Sequence, residues 1–251
     1  MSGSRSKAKR RAQRERPAYL ANANYALRSA DAVLSVDLSA VPLTLVNQFA
    51  VGWMRAAFEQ SRVIANLTAA GKGHVAAPNR RTLWELSLRL HWLADMPQSK
   101  REPAANAMLA HERSTVAKTD KHMRDMGVES DIDIAAMNDF ILNVSEDPKV
   151  TQEAKDLTAA VYATELNNAV IYRLWREDST YAHATGSLAG YYAPAGYATV
   201  GDGTPPVIDP NLDAHRLITM FIVVTTGYIL TGEGVPSELA SAPATAFHMV
   251  R

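Results

Sequence analysis

The chain has 251 residues, 47% of them hydrophobic and 21% charged, which is enough to bury a sizeable core and too apolar for a disordered chain. Its 13 Gly and 12 Pro show no triplet period, which excludes a collagen, and the absence of Cys excludes disulfide scaffolds, thiol nucleophiles, Cys-ligated zinc and iron–sulfur clusters. Overall charge is zero, but residues 1–16 hold seven Lys/Arg and one Glu, a charge of +6, leaving 19 basic and 25 acidic residues, −6, on the rest; an acidic body does not read as a general nucleic-acid surface.

Residues 1–34 read as a basic, disordered N-terminal tail, and no secretory signal follows the basic start, because Asn interrupts the apolar residues after Pro17. A first helix opens at Val41-Pro42 and stops at Gly71; a second begins after Pro78 with Asn79 as N-cap and runs to Pro97. A third opens at Glu102-Pro103 and ends at Gly127, and a shorter one covers Ile132 to Val144. A fifth, after Asp147-Pro148, spans about Val150 to Thr185 with one break allowed.

The 25 residues from Gly186 to Pro210 carry five Gly and four Pro, a composition that predicts a long Gly/Pro/Tyr-rich loop rather than a helix. A final helix starts at Asp209-Pro210 and carries LITMFIVVTTGYIL, a run of 14 residues, below the roughly 20 a spanning helix requires. That run reads as a buried core element. Residues 236–251 read as a loose C-terminal tail. The expected fold is all-α, an irregular bundle of about six helices forming one domain over residues 35–235.

The second helix is apolar on two sides, with Leu83, Leu86, Leu90 and Leu93 on one face and Trp84, Leu88 and Trp92 nearly opposite. Arg81 and Glu85 share a side with Leu88 and Trp92, so this i,i+4 pair is expected to be partly shielded, as a site or as a structural clamp. On the fifth helix Glu165, Tyr172, Arg176 and His183 fall within about 40° of one line, flanked by Ser179 and Thr180. An imidazole that titrates near neutrality and a guanidinium that holds a phosphate are a minimal kit for attack of a ribose 2′-hydroxyl on its neighbouring phosphate, with His183 as acid–base group and Arg176 as clamp. The alternative is a histidine satisfied structurally near a helix end. No metal site is expected, since no HExxH or Glu-x-x-His occurs, and no phosphate-binding glycine loop or GxSxG elbow is present; no cofactor is expected.

The pairing of Arg81-Thr-Leu-Trp-Glu85 with the segment from Tyr172 through Ser179 to His183 resembles a bacterial group known as domain of unknown function 5677, over about residues 40 to 235. The spacing Arg176 to His183, with six residues between, also resembles the Arg-x(4 to 6)-His signature of HEPN helical nucleases, although Glu177 departs from the residue types usual after that arginine. The resemblance implies a metal-independent endoribonuclease of a phage-defence or toxin system, acting as a homodimer, with Arg176 and His183 catalytic and Arg81, Glu85, Tyr172 and Ser179 in support. Two other readings stay open. One is a non-catalytic helical binding or regulatory module in which the same cluster is structural, and the other a small-molecule enzyme with His183 as base and Tyr172 as auxiliary donor. Expected partners are RNA or a cognate protein and no membrane, in the cytoplasm.

Overall fold

The computed structural model describes residues 17–139, 142–164, 168–196 and 198–250. These residues form eleven α-helices and no strand, an all-α fold. In chain order they are α1 (Ala18–Leu34), α2 (Leu45–Ala69), α3 (Ala77–Asp95), α4 (Gln98–Asp125), α5 (Ile134–Asn138), α6 (Pro148–Lys155), α7 (Leu157–Ala163), α8 (Ala169–Ala182), α9 (Gly186–Tyr192), α10 (Asp213–Gly232) and α11 (Ser237–His248). A 3₁₀ turn, Gly73–Ala76, feeds α3.

Helix α2 begins where Thr44 caps the Asn47 N–H and ends before Gly71, whose φ of 70° only glycine adopts cheaply. The expected stop at Gly71 therefore holds. So does that of α4 at Gly127, with φ 74°. Asn79 is not an N-cap: α3 starts at Ala77, continuous with the 3₁₀ turn, and Pro78 occupies its first turn. Helix α4 starts at Gln98, a turn before Pro103, which it takes inside its first two turns.

The bundle has more helices than the six expected, and three differences account for this. First, both expected tails carry helix. Along α1 the residues Ala23, Ala26, Ala30 and Val33 are buried, a stripe of small side chains that lets α1 lie close against α2 and α11. Along α11 the buried residues Ala240, Pro243 and Phe247 recur at helical spacing. Second, the expected long fifth helix is three helices. Asp156 is extended (φ −119°, ψ 113°) and uses its carboxylate to cap Thr158, while Thr164 is extended again. Third, the Gly/Pro/Tyr-rich segment opens with helix α9, capped by the Thr185 hydroxyl on the Leu188 N–H, and only then becomes irregular, with one antiparallel bridge between Ala195 and Val200.

The core centres on α3, packed among α2, α7, α8 and α10. Trp84, Leu83, Leu88, Leu90, Trp92 and Leu93 are all buried on it, as its two-sided apolar pattern implies. Helix α10 enters through Asp209 and Leu212, both in the left-handed region (φ 51° and 57°). The Asp209 carboxylate accepts from the N–H groups of Asp213, Ala214 and His215 at 2.8, 3.2 and 2.8 Å, so three donors of the first turn are satisfied by one side chain.

Candidate functional site

The densest polar cluster joins α3 to α8, and its centre is a buried ion pair that the sequence pattern had not singled out. Arg80 and Asp178 are both within 2% of full burial. Arg80 donates from Nε at 3.0 Å and Nη2 at 2.8 Å to Asp178 Oδ1, and from Nη1 at 2.7 Å to the Gly73 carbonyl. Trp84 Nε1 donates to Asp178 Oδ2 at 2.7 Å. Burial pushes the Asp178 carboxyl up from its ordinary value, against the Arg80 guanidinium and Trp84 N–H that favour the ionised form. Each buried partner is thus hydrogen-bonded as well as paired, the condition under which a dry ion pair is tolerated.

One residue further along each helix lies a second, wetter layer made of the residues the sequence did point to. Arg81 donates from Nε to Ser179 Oγ at 3.0 Å, and the Ser179 hydroxyl donates to the Trp175 carbonyl at 2.7 Å. Trp175 Nε1 donates to Glu85 Oε2 at 3.1 Å, and Glu85 Oε2 lies 3.5 Å from Arg81 Nη1. The four residues close a ring of contacts. The Arg81 guanidinium also sits over the Trp175 indole, 5.2 Å from its centroid. Arg81 and Glu85 keep 28% and 37% of their side-chain surface exposed, so the expected partial shielding is what the structure shows.

Tyr172 stacks on Trp175 at 5.6 Å and its hydroxyl lies 3.2 Å from Thr158 Oγ1, tying α8 to α7. Arg176 is exposed and its guanidinium lies 5.8 Å from the centroid of the Trp175 ring. His183 lies past the last helical residue, Ala182, in extended backbone (φ −119°, ψ 159°), and is exposed. The single stripe expected along a long helix is therefore broken: Tyr172 and Arg176 share α8, His183 is off its end, and Glu165 lies outside the described residues. Arg81, Glu85, Ser179 and Tyr172 gather around Trp175. His183 makes no side-chain hydrogen bond or ion pair among the described residues.

The residues that were missed were legible in part. Arg80 stands three before Leu83 and ten before Leu90, on the face already read as apolar, and Asp178 follows Ile171 and Leu174 by seven and four, the three being the buried residues of α8. A lone arginine on one apolar stripe and a lone aspartate on another are a buried pair waiting for register.

A second polar centre lies between α2 and α10. Ser61 Oγ and His215 Nε2 are 2.9 Å apart and buried, beside a small cavity of about 20 Å³ lined by Ser29, Tyr25 and Thr219. Burial, reinforced by the nearby Arg80 charge, pushes the His215 imidazole down to about 4, so it is neutral at pH 7. Although Ser and His sit at hydrogen-bond distance, His215 Nδ1 has no orienting partner among the described residues and the adjoining cavity has room for little more than a water molecule. Among the described residues no group of three His, Asp or Glu is arranged to hold a metal.

Two further arginines tie helix ends together. Arg101, 4% exposed, donates to the Ala94 and Met96 carbonyls at the end of α3 and to Glu233 after α10, and it lies so close to Gly232 that a Cβ there would meet Nη1 at 2.6 Å. Arg89 donates to the Glu153 carbonyl at 2.8 Å while Trp92 Nε1 donates to its carboxylate at 2.9 Å. No family model, no curated protein and no solved structure matches the chain.

Proposed function

We propose that this protein is a non-catalytic helical binding module in which the polar residues between α3 and α8 lock the two helices in register. The observation that carries the reading is the closed ring Arg81–Ser179–Trp175–Glu85 lying over the forked Arg80–Asp178 pair. The hydroxyl of Ser179 is committed both as acceptor and as donor, and the Arg81 Nε–H and the Glu85 carboxylate are spent on neighbours. A group committed in this way positions a scaffold and has little left for a substrate. The ribonuclease reading needs Arg176 and His183 in one sheltered recess, and both are exposed, one on α8 and the other beyond its end.

Directly after the clamped helix, Tyr191 and Tyr192 of α9 and Val200 of the following segment are exposed by 42%, 46% and 76%. Mounted on the fixed α8, this segment is the contact surface the reading assigns to a protein partner. The test is incubation of purified protein with single-stranded RNA in EDTA. No cleavage above background is expected from the wild type; cleavage that His183→Ala abolishes would replace the module with a nuclease.

A further inference from the structure

Helix α10 was read from sequence as a buried core element, and half of it is covered. Its covered side is not purely apolar: beside Ile218, Ile222, Ile229 and Leu230 it carries His215 and Thr219, one turn apart and buried. His215 spends Nε2 on Ser61 of α2, and its other ring nitrogen, Nδ1, is buried with no hydrogen-bond partner among the described residues. Ser29 of α1 is in the same position. It is buried, and its Oγ has no partner among the described residues either. A helical serine can turn its hydroxyl back to the carbonyl four residues earlier, as Ser179 and Ser241 do; Ser29 does not. Both orphaned residues line the small cavity that lies where α1, α2, α10 and α11 converge.

We propose that this cavity is a binding site for one structural water molecule, which bridges Ser29 Oγ on α1 to His215 Nδ1 on α10. The size fits, since a water needs about 10–15 Å³ and a cavity of about 20 Å³ takes one and no second. The chemistry fits as well. A neutral imidazole bonded at Nε2 presents either an N–H or a bare lone pair at Nδ1, and a hydroxyl can donate or accept, so the bridging group has to be able to do both. Water does. Thr219, whose hydroxyl donates to carbonyls of its own helix, keeps oxygen lone pairs for a further bond. Without such a bridge the fold would carry the full desolvation penalty of two buried polar groups. The bridge also gives α1 its register. The buried residues of α1 are Ala23, Ala26, Ser29, Ala30 and Val33, and a stripe of alanines has little preference for one register over the next turn. Ser29 is the polar member of that stripe, so its tie to His215, with the bond from Asn22 Nδ2 to the Asn211 carbonyl at 2.7 Å, selects one alignment. Neither Ser29 nor His215 belongs to the α3–α8 cluster.

A crystal structure of the full chain at a resolution that shows ordered water is the first test. One peak is expected within about 2.7–3.2 Å of both Ser29 Oγ and His215 Nδ1. In solution, Ser29→Ala is expected to shift the nitrogen-15 resonance of His215 Nδ1, because the water loses the group that orients it. Ser35→Ala, which removes an exposed hydroxyl bonded to the Ala32 carbonyl just past the end of the same helix, is expected to leave that resonance in place. A dry cavity overturns the proposal, as does a direct bond between Ser29 and His215 or a water that fails to reach both. So does a His215 resonance indifferent to Ser29→Ala.

Discussion

Arg80 and Asp178, 98 residues apart in sequence, meet in the interior through hydrogen bonds from the guanidinium to both carboxylate oxygens, Nη2 and Nε to Oδ1 at 2.8 and 3.0 Å and Nε to Oδ2 at 3.2 Å, with both side chains essentially out of contact with solvent. This contact fixes the register of α8 on α3, because Trp84 bonds the second carboxylate oxygen and the Gly73 carbonyl takes the remaining arm of the guanidinium. A slip by one turn would leave a buried charge bare.

Breaking the pair from one side is expected to be costly and removing it whole much less so. Arg80→Met leaves a buried carboxylate with only Trp84 for company and Asp178→Leu leaves a buried guanidinium; each is expected to lose about 3–5 kcal/mol. The double variant is expected to lose clearly less than the sum of the two. Urea unfolding of the four proteins closes the cycle, and additive losses would mean the two groups do not depend on each other.

Acid is expected to destabilise the fold through His215. Its imidazole titrates at about 4 in the fold and at about 6.5 in an unfolded chain, so between those values the unfolded state binds the extra proton. Nothing is lost above pH 6.5, stability falls as pH drops through the window, and the loss levels off near pH 4 at about 3 kcal/mol. The buried His91, also pushed down by burial, adds in the same direction. Urea midpoints measured from pH 7.5 to 4 check this, and His215→Gln is expected to flatten the profile; an equally steep fall in that variant would assign the acid sensitivity elsewhere.

How far the sequence carried can be judged at particular residues. The caps and stops built on local chemistry, Gly71 and Gly127 with their positive φ, were readable because they need no tertiary partner. The two-sided burial of α3 was readable from its leucines and tryptophans. Helices α1 and α11 were not, because the buried stripe of α1 is mostly alanine with a single Val and that of α11 is only Ala240, Pro243 and Phe247, and small residues signal close packing only once the neighbouring helix is known. The fifth helix, read with one break allowed, is interrupted twice, at Asp156, whose carboxylate caps Thr158, and at Thr164, which is extended, and it stops at Ala182, just before the Thr185 hydroxyl caps α9. At the site, Arg81, Glu85 and Ser179 were found and belong together, while their neighbours Arg80 and Asp178 were passed over. One helical residue is 100°, the difference between the rim of a contact and its centre.

The α3–α8 clamp itself is tested most directly by comparing the melting temperatures of Arg81→Ala and His183→Ala. The partly exposed ring round Arg81 combines a hydrogen bond, a screened ion pair and a cation–π contact, together about 1–2 kcal/mol, so Arg81→Ala is expected to melt several degrees below the wild type. His183→Ala is expected to melt with the wild type. An Arg81→Ala protein of unchanged melting temperature, beside a His183→Ala protein that melts early, would contradict the clamp.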